Sequence, residues 1–198
     1  MKKSIKIFAM VALFTATLFT SCKKEENLKS GVKPIETLIN TKMEFSSYGL
    51  YDGNRTMAIV FKSSKAGKIT HLGAKLEPGT YNVALLDSSS QSVLKTATVT
   101  VSDTSNFAYT DIDDVTIVAN KVYYVTVNNA TTSNNATKKF FLYALIDDLE
   151  FPITDGNFTY LVPVFLPLTT DATNIFNEDR YRQSNSISGV PSFIFVEN

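Results

Sequence analysis

Residues 58–127 alternate apolar and polar side chains, punctuated by turn residues, over a longer run than any other part of this 198-residue chain. A period of two is the signature of β-strands, whose successive side chains point to opposite faces. The pattern predicts a strand over 58–62, a second over 68–76, a hairpin across 80–101 and a further pair across 107–127. In the first, Met57, Ile59 and Phe61 alternate with Ala58, Val60 and Lys62, so both faces are largely apolar, as in an interior strand. In the hairpin, Tyr81, Val83 and Leu85 run out to a bend of serines at Ser88, Ser89 and Ser90, and 93–101 return. Val122-Tyr123-Tyr124-Val125-Thr126-Val127 is built of β-branched and aromatic residues and is strongly β-prone.

Outside this stretch the signals are shorter. Residues 43–46 begin an alternation that predicts the first strand, and 48–54, with Gly49, Asp52 and Gly53, read as a loop. Residues 140–146 form another strand. Pro163 and Pro167 lack an N–H to give to a ladder, so 158–168 is expected to be a broken or edge strand. A short helical turn capped by Asn174 is expected near 175–182, and a closing strand over 193–196. Residues 42–198 are therefore expected to form a single all-β domain, a mostly antiparallel β-sandwich, immunoglobulin-like or jelly-roll-like, after an N-terminal signal and tether.

The signal occupies residues 1–21. Lys2, Lys3 and Lys6 precede an apolar run over 7–19 that is too short to span a bilayer and is followed at once by Ser21-Cys22. Leu18-Phe19-Thr20-Ser21-Cys22 resembles the lipobox of bacterial lipoproteins, in which the cysteine becomes an acylated N-terminus after cleavage. The resemblance implies lipidation of Cys22 and a membrane partner held through the lipid anchor, since several acyl chains on one residue suffice for stable attachment. Lys23-Lys24-Glu25-Glu26 resembles the export signal that sends lipoproteins of the Bacteroidetes group to the outer face of the outer membrane. It implies a lipid-anchored outer-membrane protein at the cell surface, with a periplasm-facing orientation as the alternative. Residues 22–41, polar and broken by Gly31 and Pro34, are expected to be a flexible tether.

Charge excludes one class of partner. Lys and Arg number 19, as do Asp and Glu; without Lys2, Lys3 and Lys6, 16 basic side chains face 19 acidic ones. That balance leaves no basic stripe for a phosphate backbone, so no nucleic-acid partner is expected. Catalysis is not expected either. His71 is the only histidine, Ser88–Ser90 have no nucleophile-elbow context, and no glycine-rich phosphate loop is present. Asp111, Asp113 and Asp114 are crowded enough to supply oxygen ligands for a calcium ion, though without EF-hand spacing, so calcium is the one cofactor considered.

Ile59-Val60-Phe61, Ala66-Gly67-Lys68-Ile69, Gly79-Thr80-Tyr81-Asn82-Val83-Ala84-Leu85 and Ala119-Asn120-Lys121-Val122-Tyr123-Tyr124-Val125 together resemble a family of uncharacterised extracellular bacterial β-sandwich domains. The resemblance implies an accessory binding role rather than enzymatic activity. A non-catalytic module for a glycan or protein ligand would present aromatic and polar groups from loops over 48–55, 106–114 and 160–181, with Tyr48, Tyr51, Tyr109, Tyr160 and Tyr181 as the candidate ligand-facing residues. The alternative is a structural or assembly part of the cell envelope that pairs through exposed strand edges.

Overall fold

The computed structural model describes residues 31–51, 55–128, 138–167, 172–177 and 182–198. In chain order the elements are helix α1 (Pro34–Lys42), β1 (Met43–Tyr51), β2 (Arg55–Ser63), β3 (Gly67–Lys75), β4 (Gly79–Asp87), β5 (Ser92–Val101), β6 (Ala108–Ile117), β7 (Val122–Asn128), β8 (Lys138–Leu145), β9 (Ile153–Asp155), β10 (Phe158–Pro167), a 3-10 helix (Ala172–Asn177), β11 (Ser186–Ser188) and β12 (Val190–Glu197). The strands make three sheets: a six-stranded sheet ordered β5-β4-β7-β2-β10-β9, and three-stranded sheets ordered β12-β3-β6 and β1-β8-β11. Every strand pair is antiparallel, and the sheets pack as the expected sandwich-like all-β fold.

Strand β2 shows why. Met57, Ile59 and Phe61 are fully buried in the main core, each contributing roughly 1.5–3 kcal/mol of burial. Ala58 and Val60, on the other face, lie in a second cluster with Ala84, Leu86, Val164, Leu166 and Ile175 of the 3-10 helix. A strand apolar on both faces needs cover on both, and it has the opposing sheets on one side and that helix on the other. The main core is aromatic where β2 meets β12: Phe61 stacks on Phe193 at 4.5 Å and Phe158 meets Phe195 edge-on at 5.2 Å.

Successive strands cross between layers. The chain passes from β2 in the six-stranded sheet to β3 in a three-stranded one, back to the β4–β5 hairpin, then to β6 and back to β7. The pair expected across 107–127 therefore consists of two strands that do not pair with each other. β6 bonds to β3, while β7 lies between β2 and β4. The connection between them turns at Asn120, in the left-handed region at φ 62°, and is tied down by Val118 N donating to Tyr123 Oη at 3.0 Å.

The other differences follow from local physics. Within the expected tether, the chain is folded from Val32, which exchanges backbone hydrogen bonds with Phe195 at 2.8 and 2.9 Å. Pro34 at the start of α1, Glu36 in its first turn and Lys42 in its last favour a helix there, and Ile35, Leu38 and Ile39 form a buried stripe at helical spacing. The loop expected over 48–54 is strand as far as Tyr51. Residues 106–114, also expected as a loop, are strand from Ala108 onward. Among the described residues no helix is long and apolar enough to cross a membrane.

Candidate functional site: an aromatic track across two sheets

Regular alternation would put Phe45 and Tyr48, three positions apart, on opposite faces of β1. A bulge between Phe45 and Ser47 changes that: Phe45 pairs with Tyr143, Ser47 with Leu142 and Tyr48 with Phe141, so the two rings share the face of Tyr143 and Phe141. Their centroids lie 4.8 Å apart, and they are 48% and 55% exposed, which makes them the largest rings left open among the described residues. Tyr143 and Phe141 are buried beneath them, with Phe45 6.0 Å from Tyr143 and Tyr48 5.5 Å from Phe141.

The track continues onto the neighbouring sheet through a cation. Lys75, at the end of β3, holds its Nζ 5.6 Å from the Tyr143 ring, 6.0 Å from Phe141 and 5.7 Å from Phe107. Phe107 stacks in turn on Tyr109 at 6.1 Å. Tyr109 is half-buried; its hydroxyl donates to Glu36 Oε2 at 3.2 Å and shares a hydrogen bond with Ser192 Oγ at 3.0 Å, while Lys33 lies 5.1 Å from its ring. Burial, opposed by the Ser192 hydroxyl and reinforced by the Glu36 carboxylate, raises the Tyr109 phenol well above its ordinary range, so it remains a hydrogen-bond donor. Tyr48 and Tyr109, singled out from different loops, thus mark the two ends of one surface that β1, β8, β3 and β6 bring together.

The remaining candidates are placed differently. Tyr160 is a correction: it is wholly buried in β10, its ring 6.5 Å from Phe158, because its position in the alternation of that strand faces the main core. Tyr51 is the last residue of β1, and Tyr181 and Cys22 lie outside the described residues. Asp111, Asp113 and Asp114 do not converge. They follow one another along β6 and turn to separate basic side chains, with Asp111 3.8 Å from His71 Nε2, Asp114 3.0 Å from Lys68 Nζ and Asp113 paired with Lys95. Among the described residues no three acidic, histidine or cysteine side chains are grouped to hold a metal ion. The His71 Nδ1 hydrogen-bonds Thr70 Oγ1 at 2.8 Å, which makes it a polar strand residue.

A second concave surface lies on the outer face of the six-stranded sheet. Thr98, Asn82, Asn128 and Thr56 pair in register across β5, β4, β7 and β2 and form one uncharged row beside a groove of about 410 Å³. Asn128 Nδ2 donates to Thr56 Oγ1 at 3.0 Å. The alternation of all four strands was legible, but the row needs their order, which local pattern does not carry.

No protein-family model matches this chain, and no curated protein matches it. The chain is a mostly antiparallel β-sheet domain with sandwich-like packing.

Proposed function

We propose that this protein is a lipid-anchored envelope lipoprotein whose domain is a non-catalytic binding module, and that the aromatic track receives a glycan. The exposed Phe45–Tyr48 pair carries the reading. A sugar ring offers an apolar face of C–H groups bearing partial positive charge, and an aromatic face is the negative side of a quadrupole, so the two stack. Rings already fixed by packing against Phe141 and Tyr143 lose little side-chain entropy when a ligand covers them. The Lys75 ammonium supplies a directional group along the same line, and the Tyr109 ring, its hydroxyl held by Glu36 and Ser192, extends the aromatic surface. In this reading the resemblance of residues 59–125 to extracellular β-sandwich domains supports the module, that of residues 18–22 to a lipobox supports the lipid anchor, and that of residues 23–26 to an export signal supports display at the cell surface.

The test is a glycan panel read with the wild-type chain and a Phe45→Ala/Tyr48→Ala variant. Loss of at least about tenfold in affinity is expected, the scale of removing a well-packed aromatic contact. A variant that binds as the wild type does would contradict the assignment. Display is tested separately: antibody labelling of intact cells is expected for the wild type and is expected to be lost with Cys22→Ala.

A second reading has one observation in its favour. β1 is a nine-residue strand that pairs with β8 alone among the described strands and so stands at the edge of its sheet, where an envelope partner could add a strand. The bulge at Phe45/Ser47 twists that edge and works against it.

A further inference from the structure

We infer that the track selects an acidic saccharide, one whose carboxylate sits on Lys75 while its sugar rings lie on Phe45 and Tyr48. The inference rests on the glycan reading above and goes beyond it in naming the charge of the ligand.

The observation is the environment of Lys75. Lys33, Lys65, Lys68, Lys95 and Lys121 each face an acidic side chain within ion-pair distance. Lys42, Lys62 and Lys75 face none among the described residues; of these, half-buried Lys75 has its ammonium bounded by the rings of Phe107, Phe141 and Tyr143. Asp103, whose carboxylate feels the charge of Lys75, is engaged within its own turn: its Oδ1 accepts from Ser105 N at 2.8 Å and Asn106 N at 2.9 Å, and Asn106 Nδ2 reaches its Oδ2 at 3.4 Å. Ring faces attract a cation but accept no strong hydrogen bond, so the three N–H donors of Lys75 keep capacity for an anion. A lysine in this position is a point charge with a free hydrogen-bonding hemisphere, one ring away from the exposed platform, since Tyr143 lies between it and Phe45. A neutral saccharide would leave that charge partly covered with no carboxylate of the described residues within ion-pair distance; a uronate supplies one in a charge-assisted hydrogen bond.

The experiment uses the full-length chain in detergent. Binding is measured by calorimetry for tetramers of galacturonate, glucuronate-containing and mannuronate sugars, and for the same tetramers with their carboxyl groups reduced to alcohols. At least one acidic tetramer is expected to bind about tenfold tighter than its reduced counterpart, the scale of one charge-assisted contact. Raising salt is expected to narrow the gap. Lys75→Met, which keeps the aliphatic stem against the rings, is expected to abolish the preference, so that the variant binds an acidic tetramer no tighter than its reduced form; Lys75→Arg is expected to retain it, and a preference that survives Lys75→Met would overturn the assignment to Lys75. Equal binding of acidic and reduced tetramers, with both lost in Tyr48→Ala, would overturn the charge selection and leave the glycan platform standing. No binding of any tetramer by the folded protein would overturn both.

Discussion

Asp87, at the end of β4, is buried, and burial alone would raise its pKa. The hydrogen bonds it accepts outweigh that: from Lys121 Nζ at 2.6 Å, from Ser89 Oγ at 2.7 Å and from Ser89 N at 2.9 Å, holding the carboxyl well below its ordinary range. The folded protein therefore takes up this proton less readily than the unfolded chain, whose carboxyl titrates near pH 4. The stabilisation is fully present above about pH 4 and declines as pH falls through the acid range. Asp87→Ala is expected to cost about 2 kcal/mol at neutral pH and to flatten the acid limb of a stability-against-pH curve measured by urea unfolding. Tyr160 gives the opposite case. Its hydroxyl is buried with no hydrogen-bond partner among the described residues, and burial, with the charge of Asp155 adding to it, raises its pKa. Tyr160→Phe keeps the ring and removes the orphaned group. It is expected to leave stability unchanged or to raise it by up to about 1 kcal/mol, read from the midpoint of thermal or urea unfolding.

At the scale of the element, β1 is held to β8 by a glycine as much as by its bulge. Gly49 pairs with Phe140, and a Cβ at Gly49 would fall 1.7 Å from Phe140 Cζ, so the ring covers the glycine where another residue's side chain would stand. Gly49→Ala is expected to displace Phe140 from a buried site and to cost about 1–3 kcal/mol, with a matching fall in unfolding midpoint. This strand also marks where local pattern stopped being informative. The strands of residues 58–127 were legible because alternation and turn residues agree there, and the double-sided apolar pattern of β2 foretold its interior place. Tyr48 was assigned to a loop because Gly49 and Asp52 to Gly53 carry turn chemistry, and because alternation breaks at Ser46-Ser47. The break is a bulge, which only the partner strand makes visible. Pro163 and Pro167 foretold a broken or edge strand, and both fall beyond the three residues of β10 that β9 pairs. Tyr160 lies among those paired three, inside the core, so a single expectation for 158–168 misplaced it. The aspartates of β6 looked like a loop cluster because Asp is poor in strands; Lys68 and Lys95 on neighbouring strands provide the compensation.

For the molecule as a whole, the expected boundary between tether and domain moves toward the N-terminus. Ile35 and Leu38 are fully buried and Ile39 nearly so, in the same core that contains Phe61, Phe158 and Phe193. Helix α1 is therefore a structural part of the domain, anchored by the Val32–Phe195 bridge. Leu38→Ala is expected to cost about 2–5 kcal/mol, and a chain beginning at Met43 is expected to lose cooperative unfolding. Helix placement also bears on the track, since Glu36 holds the Tyr109 hydroxyl at its far end. The central claim is that the face running from Tyr48 past Lys75 to Tyr109 is where ligand binds. It is tested most directly by NMR of the full-length chain labelled at its aromatic rings and backbone amides, titrated with a mixed pool of neutral and acidic oligosaccharides. The rings of Phe45 and Tyr48 are predicted to shift first and to saturate together with Tyr143, while the amides of Asn82, Thr96 and Thr98 on the outer face of the six-stranded sheet stay still. Shifts confined to that outer face, or no shifts on the track at saturating sugar, would contradict it.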